Sequence, residues 1–204
     1  IGNFDNLLFS FVINRNTTND FLYPTKGSSN RFMFKISPSG ISDDPYYQFL
    51  FNNQIYFQRE NSKSFYFFDN DFGIADSMDN KLKTKNAFSL GGLNFKGFDF
   101  RGIGPFDNNI YLGGNNYFTT TIGYGSSFLF DEKDNINIKL FTTAGSLWGS
   151  DYSTNNEFEL RSSAGVSFDI LTAVGPLSLS YAVPIQKSSS DKVKEFNFSI
   201  GRSF

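Results

Sequence analysis

Carboxylates are the first candidates for chemistry in this chain of 204 residues. Asp43 and Asp44 are adjacent, and Asp69 and Asp71 stand two residues apart within a run of alternating apolar residues. Such pairs could serve as the acid and base of a glycosidase, or could bind calcium. Because side chains two apart on a strand share one face, Asp69 and Asp71 are more simply explained as polar residues of an interior wall.

The sequence contains no histidine and no cysteine. This excludes Ser-His-Asp triads, Cys–His pairs, zinc sites of the usual kind and the Ser–His pair of an outer-membrane phospholipase. The 18 basic and 20 acidic residues give a net charge of −2, and the basic residues are scattered, which argues against a nucleic-acid partner. We therefore predict a protein that is not an enzyme and that uses no cofactor or metal.

The stretch from Leu90 to Pro105 combines five glycines with aromatic and cationic residues. Glycine permits backbone conformations and close approaches that other residues forbid, so this composition favours a shaped loop over a strand. Long loops with internal order are usually functional. The alternative is a flexible surface loop, which would be expected to carry Ser and Asn in place of Leu93, Phe95, Phe98 and Phe100.

Around this loop, apolar and polar residues alternate in nine runs with the period of a β-strand. The clearest run is Tyr46–Gln58, in which aromatic and aliphatic residues occupy one face and Gln and Asn the other. The remaining predicted strands are 4–14, a run around 32–36, 65–75, 116–130, 136–148, 161–171, 177–183 and 195–204. Short connections follow the third, fifth and seventh strands, whereas longer polar connections follow the second, fourth, sixth and eighth. The longest connection spans about 76–114.

Aromatic residues make up 19% of the chain, yet its mean hydropathy is slightly polar. A membrane barrel directs rings into lipid and polar groups inward, and it alternates short turns with long loops. No run approaches 18 apolar residues, which excludes a membrane-spanning helix. A soluble sandwich or lectin-like fold would show the same alternation. The aromatic content of one face in nearly every strand, and the final Phe204, favour an all-β, antiparallel transmembrane barrel.

The glycine-rich segment LNFKGFDFRGIGP resembles the signature loop of the BamA-type outer-membrane barrel-assembly superfamily, whose pattern is V-R-G-F followed by a G-P pair. The matching positions are Phe95, Lys96, Gly97, Phe98, Gly104 and Pro105. Four further segments match in the family's order and spacing: 21–28, 113–117, 174–185 and 196–204. The resemblance implies that residues 1–204 are the C-terminal part of one 16-stranded barrel, with the loop at about 76–114 folded inward. The resemblance also implies that roughly seven strands lie upstream to complete the sixteen, with periplasmic POTRA domains before them. An even total agrees with the even strand numbers of bacterial single-chain barrels.

Two positions depart from the family pattern. The usual Arg of the loop is Lys96, and its usual acidic partner, on the wall strand that ends in G-x-x-W, is Thr143. Arg has a planar fork that Lys cannot mimic, and the loss of one partner alone would leave an unpaired charge. We therefore expect Lys96 to meet other acids, neutral oxygens or water on the wall. The candidate wall contacts are Asp69, Asp71, Thr143 and Gly145.

The terminal run resembles the aromatic-ended signal by which barrel proteins are recognised for assembly. Its candidate residues are Phe196, Phe198, Ile200, Gly201 and Phe204. In the family this strand pairs weakly with the first strand, which forms a lateral gate, and an incompletely paired edge can template an incoming strand. Gly201 suits a bend there. Alternatively, Phe204 is simply an aromatic residue of the membrane interface.

The resemblance implies an outer-membrane assembly factor, an insertase that folds and inserts β-barrel clients by templating at the gate. The implied partners are outer-membrane lipid, unfolded β-barrel clients, periplasmic chaperones and accessory lipoproteins of an assembly complex. The alternative is a two-partner-secretion pore of the same superfamily, in which the loop plugs a conduit for one exported substrate. Many upstream POTRA domains would favour the insertase, and few would favour the pore.

Overall fold

The computed structural model describes residues 5–126, 136–154, 157–172 and 175–200. In chain order, the strands are β1 (Phe9–Asn16), β2 (Gly27–Ser37), β3 (Tyr46–Gln58), β4 (Ser64–Ser77), β5 (Gly97–Phe98), β6 (Phe106–Asp107), β7 (Ile110–Tyr111), β8 (Asn116–Ser126), β9 (Ile136–Trp148), β10 (Arg161–Thr172), β11 (Gly175–Gln186), β12 (Val193–Lys194) and β13 (Phe196–Ile200). None of the described residues belongs to a helix that is long and apolar enough to cross a membrane.

Nine of these strands form one antiparallel sheet, in the order β1-β2-β3-β4-β8-β9-β10-β11-β13. This confirms the predicted all-β antiparallel fold and its nine strands. The four short strands form two small sheets, in which β5 pairs with β12 and β6 pairs with β7. The predicted strand ends at 127–130 and 201–204 lie outside the described residues.

The main difference from the predicted strands is at the start of β2. Residues 27–31 have the composition of a turn, yet they belong to the strand and pair with residues 52–56 of β3. The adjacent strand β3 explains why this segment is extended, since Asn30 and Ser29 stand opposite Asn53 and Gln54 of β3. Polar residues can extend a strand where the adjacent strand offers backbone partners and matching polar side chains.

The two faces of the sheet differ as the alternation predicts. On the outer face, Phe57 is 57% exposed and Tyr66 is 60% exposed, whereas on the inner face Gln48 and Thr119 are buried. Small or polar residues continue the inner face across β9, β10, β11 and β13, as Thr143, Ser163, Ser167, Ser180 and Asn197, all of them buried. The sheet therefore has a largely polar inner wall and an apolar outer wall, as a membrane barrel requires.

Some rings nevertheless face inward, which the alternation alone does not indicate. Phe65 and Phe67 of β4 stand opposite Gly125 and Gly123 of β8. A Cβ atom at Gly123 would lie 2.2 Å from the Phe67 ring, and one at Gly125 would lie 2.3 Å from the Phe65 ring. These glycines give the inward rings room to lie flat over the neighbouring strand.

Aromatic groups mark both ends of the outer face. Near the turn between β3 and β4, the rings of Tyr66 and Tyr124 are 5.3 Å apart. At the opposite end, Phe158 packs against Trp148 at 5.2 Å and stacks on Phe118 at 6.0 Å. Six residues separate Phe118 from Tyr124 along β8, which is about 20 Å of strand. The two groups lie on opposite sides of the exposed apolar face, as the aromatic girdles of an outer-membrane barrel do.

Candidate functional site

The long connection between β4 and β8, residues 78–115, folds back against the inner wall; we call it the lumen loop. Phe95 is 1% exposed and Phe98 is fully buried, with their rings in edge contact at 5.2 Å. They belong to one apolar cluster that joins the loop to β8 and β9: Leu90, Phe95, Phe98, Ile103, Tyr117 and Leu147. Leu93 and Phe100, which the sequence groups with these rings, are instead exposed.

Gly97 lies where the lumen loop touches the wall. Its φ of +98° is a conformation that glycine adopts without strain. A Cβ atom there would lie 3.1 Å from the Cβ of Ser163 and 3.5 Å from the carbonyl oxygen of Ala182. The Ser163 hydroxyl donates a hydrogen bond to the carbonyl of Lys96 at 2.6 Å. The loop backbone therefore rests directly on β10 and β11, and no side chain fits between them.

Gly104 and Pro105 complete the loop motif and are both buried. Gly104 has a φ of +110°, and a Cβ atom there would lie 2.6 Å from the Leu147 side chain. The motif's second half thus packs against β9, as its first half packs against β10 and β11.

Lys96 extends into a cavity of about 360 Å³ between the lumen loop and the wall. Its ammonium nitrogen lies 4.9 Å from the centroid of the Phe141 ring, a cation–π contact. Other charged or polar residues that line the same cavity are Asp69, Asp71, Thr119, Thr121, Lys139, Thr143 and Asp169. The structure thus brings Lys96 together with three of the four predicted wall residues.

The two carboxylates of β4 are held by amides of β3. Asn52 donates to Asp71 at 2.5 Å, and Gln54 donates to Asp69 at 3.2 Å. These bonds fix both carboxylates on the inner wall, where they add negative charge to the cavity that receives Lys96.

Thr143, predicted to replace an acid of the family, has its hydroxyl 2.9 Å from that of Thr121, its cross-strand partner. A neutral hydroxyl pair thus occupies this part of the wall. Gly145, the fourth predicted wall residue, is on the inner face as the register partner of Arg161. A Cβ atom at Gly145 would lie 2.4 Å from the carbonyl oxygen of Phe118, so its contribution is the absence of a side chain.

Asp169 of β10, which is not among the wall residues predicted from the sequence, also lines this cavity. Its carboxylate forms an ion pair with Lys139 of β9 at 2.8 Å and accepts a hydrogen bond from Ser178 of β11 at 2.6 Å. The alternation places Asp169 on the inner face, but only the register between β9, β10 and β11 brings these three side chains together.

A second contact joins the lumen loop to the segment that precedes the last strand. Residues 187–195, which we call the last loop, connect β11 to β13 and contain β12. Val193 and Lys194 of β12 pair with Phe98 and Gly97 of β5. The backbone N–H of Asp99 donates to the carbonyl of Lys192 at 2.8 Å, and that of Lys192 donates to Gly102 at 3.0 Å. The glycine-rich motif is therefore the docking strand for the last loop.

An ion pair fastens the last loop to the wall. Arg161, at the start of β10, donates from Nε and Nη2 to the carboxylate of Asp191 at 3.0 and 3.2 Å. The two side chains are 3% and 0% exposed. Arg161 also donates to the carbonyl of Glu159 at 2.8 Å, and Asp191 accepts the backbone N–H of Ser188 at 2.7 Å. Bidentate geometry and additional hydrogen bonds are the conditions under which a buried pair is well satisfied.

The last strand is paired over a short length. Within the described residues, β13 pairs only with residues 177–181 of β11, although β11 continues to Gln186. Phe196, Phe198 and Ile200 face outward and are 57%, 51% and 60% exposed. Just before β13, Val193 and Lys194 pair with the lumen loop and not with β11. Gly201 and Phe204 lie outside the described residues.

The adjacent carboxylates Asp43 and Asp44 hold chain segments in place. Asp44 forms ion pairs with Lys83 and, at 2.6 Å, with Lys85, and the Lys83 ammonium beside it holds the pKa of this carboxyl below its usual value. Asp43 accepts the backbone N–H of Asp5 at 2.7 Å. In the described part of the chain, no group of three or more acidic side chains is arranged to hold a metal ion.

Comparison with known proteins identifies the family. The Omp85 superfamily domain model matches residues 1–204. The chain is 27% identical over 242 aligned residues to the outer membrane protein assembly factor BamA of Neisseria meningitidis serogroup B, covering all of this chain and 30% of that protein. The crystal structure of BamA from Haemophilus ducreyi lacking POTRA domains 1–3 matches with a TM-score of 0.84 and 26% identity, over 94% of this chain and 41% of that one.

The chain therefore spans less than half the length of either relative. The match confirms the resemblance carried by the glycine-rich motif and its four companion segments. Because the family model covers the chain from end to end, the protein belongs to the Omp85 superfamily and is a β-barrel protein of the bacterial outer membrane.

Proposed function

We propose that this protein is an outer-membrane assembly factor that folds β-barrel clients and inserts them into the membrane. Residues 1–204 would form the C-terminal part of its barrel, with further strands and POTRA domains upstream. Support comes from the similarity to two BamA proteins, one of them over the whole chain and the other over 94% of it. The partners would be outer-membrane lipid, unfolded clients, periplasmic chaperones and accessory lipoproteins.

The observation that carries this proposal is the short pairing of the last strand. Within the described residues, five residue pairs hold β13 to β11. At the end near β12 this pairing stops before β11 ends at Gln186, because Val193 and Lys194 pair with the lumen loop instead of the sheet. A strand whose pairing stops early at one end can exchange its other edge between a barrel neighbour and an incoming strand, because backbone N–H and C=O groups accept any strand in register. The exchange forms and breaks hydrogen bonds only, so it needs neither nucleotide nor cofactor.

The lumen loop would then set the position of the last strand. Gly97 and Phe98 dock β12, while Phe95 and Phe98 anchor the loop to the wall through the apolar cluster. Lys96 holds the loop over Phe141 in the cavity that contains Asp69 and Asp71. In this proposal the cavity charges orient the loop, and the loop positions the gate strand, whose residues are Phe196, Phe198, Ile200, Gly201 and Phe204.

Reconstitution tests this function. The intact protein is placed in phospholipid vesicles, an unfolded outer-membrane barrel is added, and folding is followed by heat-modifiable gel mobility. An assembly factor accelerates folding relative to empty vesicles. A secretion pore would leave client folding at the rate of empty vesicles and would instead export one substrate across the membrane, and that result would replace the proposal by the alternative.

A further inference from the structure

The outer face of the sheet carries a row of polar side chains. Asn30, Asn53, Asn70 and Thr120 stand opposite one another on four adjacent strands, β2, β3, β4 and β8. Asn53 donates to Asn30 at 2.7 Å, Asn70 donates to Asn53 at 3.2 Å, and the Thr120 hydroxyl donates to Asn70 at 3.0 Å. We call these four residues the outer amide row.

The row faces the lipid side of the sheet. Side chains two apart on a strand share a face, and three of the four row residues have an exposed apolar neighbour at that spacing. The neighbours of Asn53, Asn70 and Thr120 are Phe51, Phe72 and Ile122, which are 38%, 37% and 51% exposed. The polar wall residues Asn52, Asp69 and Asp71 occupy the opposite face.

The row also lies between the two aromatic girdles. Asn70 is four residues from Tyr66 along β4, which is about 13 Å of strand. Thr120 lies two residues from Phe118 on the other side. The row therefore crosses the band that borders hydrocarbon, where an unsatisfied polar group costs several kcal/mol. Cross-strand hydrogen bonds reduce this cost but do not use the full capacity of the amides.

Each Asn amide has two N–H donors and two acceptor lone pairs. The row uses one N–H of Asn53 and one of Asn70 for its internal bonds. The other N–H donors of the row have no acceptor among the described residues, so they can donate to oxygen atoms outside the protein. In an outer membrane these are the ester and phosphate oxygens of lipid and the water that accompanies them.

One end of the row carries a positive charge. Arg15, exposed near the end of β1, is the register partner of Asn30 and extends the row to a fifth strand. Long cationic side chains at a barrel rim reach the interface, where a guanidinium binds phosphate strongly. The charge of Arg15 thus suits an anionic headgroup, with the amides continuing from it into the apolar band.

We propose that Arg15 and the outer amide row bind the polar part of a phospholipid, with the phosphate at Arg15 and ester oxygens and water along the amides. Headgroups beside β1, β2, β3, β4 and β8 are thereby drawn into the apolar band, and the bilayer that this wall prefers is thinner than its strand length implies. The site is separate from the last strand and from the lumen.

Bilayer thickness provides the first test. The intact protein and the double variant Asn53→Val/Asn70→Val are folded into phosphatidylcholine vesicles of increasing acyl-chain length. We expect the length at which the folded fraction falls to half to increase in the double variant, since a continuous apolar wall no longer draws headgroups inward. Asn14→Val, one position from Arg15 along β1 but facing the lumen, is the control and leaves this length unchanged. An unchanged length in the double variant overturns the proposal.

Local polarity provides the second test. Because the sequence has no cysteine, a single cysteine at Phe72 can carry a polarity-sensitive fluorophore beside Asn70. We expect its emission to shift to shorter wavelength in Asn53→Val/Asn70→Val, and partly so in Arg15→Gln. If these substitutions leave the emission wavelength unchanged, the row excludes lipid headgroups and water, and its hydrogen bonds are made within the row. A signal that depends on the protein-to-lipid ratio would show a protein partner in place of lipid, and either result overturns the proposal.

Discussion

Arg161 and Asp191 form a bidentate ion pair that is almost wholly buried, with the guanidinium on the first residue of β10 and the carboxylate on the last loop. The pair holds the last loop at the position where Val193 and Lys194 meet the glycine-rich motif. It therefore links three parts of the molecule: the wall, the lumen loop and the strand proposed to receive clients.

Loss of one partner of this pair should release the last loop. Removing one member of a buried pair typically costs about 3–5 kcal/mol when it leaves the other charge uncompensated. Here the Glu159 carboxylate, 2.8 Å from Nη2 of Arg161, remains as a partner, so we expect a smaller loss of stability and mainly the release of the last loop. We expect Asp191→Ala to lower the yield of a disulfide between cysteines placed at Phe98 and Val193 in the intact protein. The sequence has no cysteine of its own to compete. Asp44→Asn, which breaks ion pairs on a different loop, is the control. An equal disulfide yield in Asp191→Ala and wild type would show that the Arg161–Asp191 pair does not hold the last loop in place.

Gly97 should tolerate no side chain. The methyl group of Gly97→Ala would lie 3.1 Å from the Cβ atom of Ser163, and residue 97 has a φ of +98°. Gly40 has a similar φ of +86° with nothing within 4 Å of its hypothetical Cβ. Both substitutions carry the backbone strain of roughly 1–3 kcal/mol, but only Gly97→Ala should also loosen the lumen loop.

Protease digestion of the loop and the rate of client folding both measure this difference. We expect Gly97→Ala to make the loop more susceptible and to slow client folding, and Gly40→Ala to leave both close to wild type. Equal effects of the two substitutions would mean that conformational strain, and not contact with the wall, accounts for the need for glycine at position 97.

Lys96 and Phe141 should be energetically coupled. Their cation–π contact at 4.9 Å is expected to contribute about 0.5–2 kcal/mol. Lys96→Met retains much of the apolar stem, and Phe141→Leu retains apolar bulk, so each removes the interaction with little loss of packing. In a double-mutant cycle measured by urea unfolding in vesicles, the double variant should lose less stability than the sum of the two singles. Strict additivity would show that the contact carries no energy.

The assignment of faces is tested on β3. Phe51 faces lipid and Asn52 faces the lumen, where it donates to Asp71. A charge on the lipid face near mid-membrane costs about 2–4 kcal/mol, whereas a lumen charge is solvated. In a lipid-bilayer folding assay, Phe51→Arg should therefore fold less well than Asn52→Arg. Equal folding of the two variants would reverse the assigned faces.

Local alternation was enough to predict nine strands, because side chains alternate between lipid and lumen within each strand. It could not predict pairings that depend on register or on loops. Asp169 forms an ion pair with Lys139 only because β10 and β9 are aligned in register. Arg161 pairs with Asp191, which is 30 residues away along the chain and beyond a strand reversal. The outer amide row was equally hidden, since Asn53 is one polar residue within an apolar face until its neighbours are known.

The resemblance to the family predicted the lumen loop and its motif, but the contacts that the loop makes are seen only in the structure. Gly97 was expected as a motif residue, and the structure adds that β12 pairs with it and that Ser163 and Ala182 leave no space above it. Likewise, Thr143 was recognised as a departure from the family, whereas its bond to Thr121 depends on the register of β8 and β9.

The central claim is that clients pair with the last strand. A photo-cross-linking residue at Phe198 tests it most directly, with one at Ile122 as the control, because both side chains face lipid and are 51% exposed while Ile122 lies on an interior strand. During client folding by the intact protein, we predict adducts from Phe198 that appear early and disappear as the client matures, and none from Ile122. Equal adducts at both positions, or none at Phe198 while clients fold at the full rate, would contradict the account.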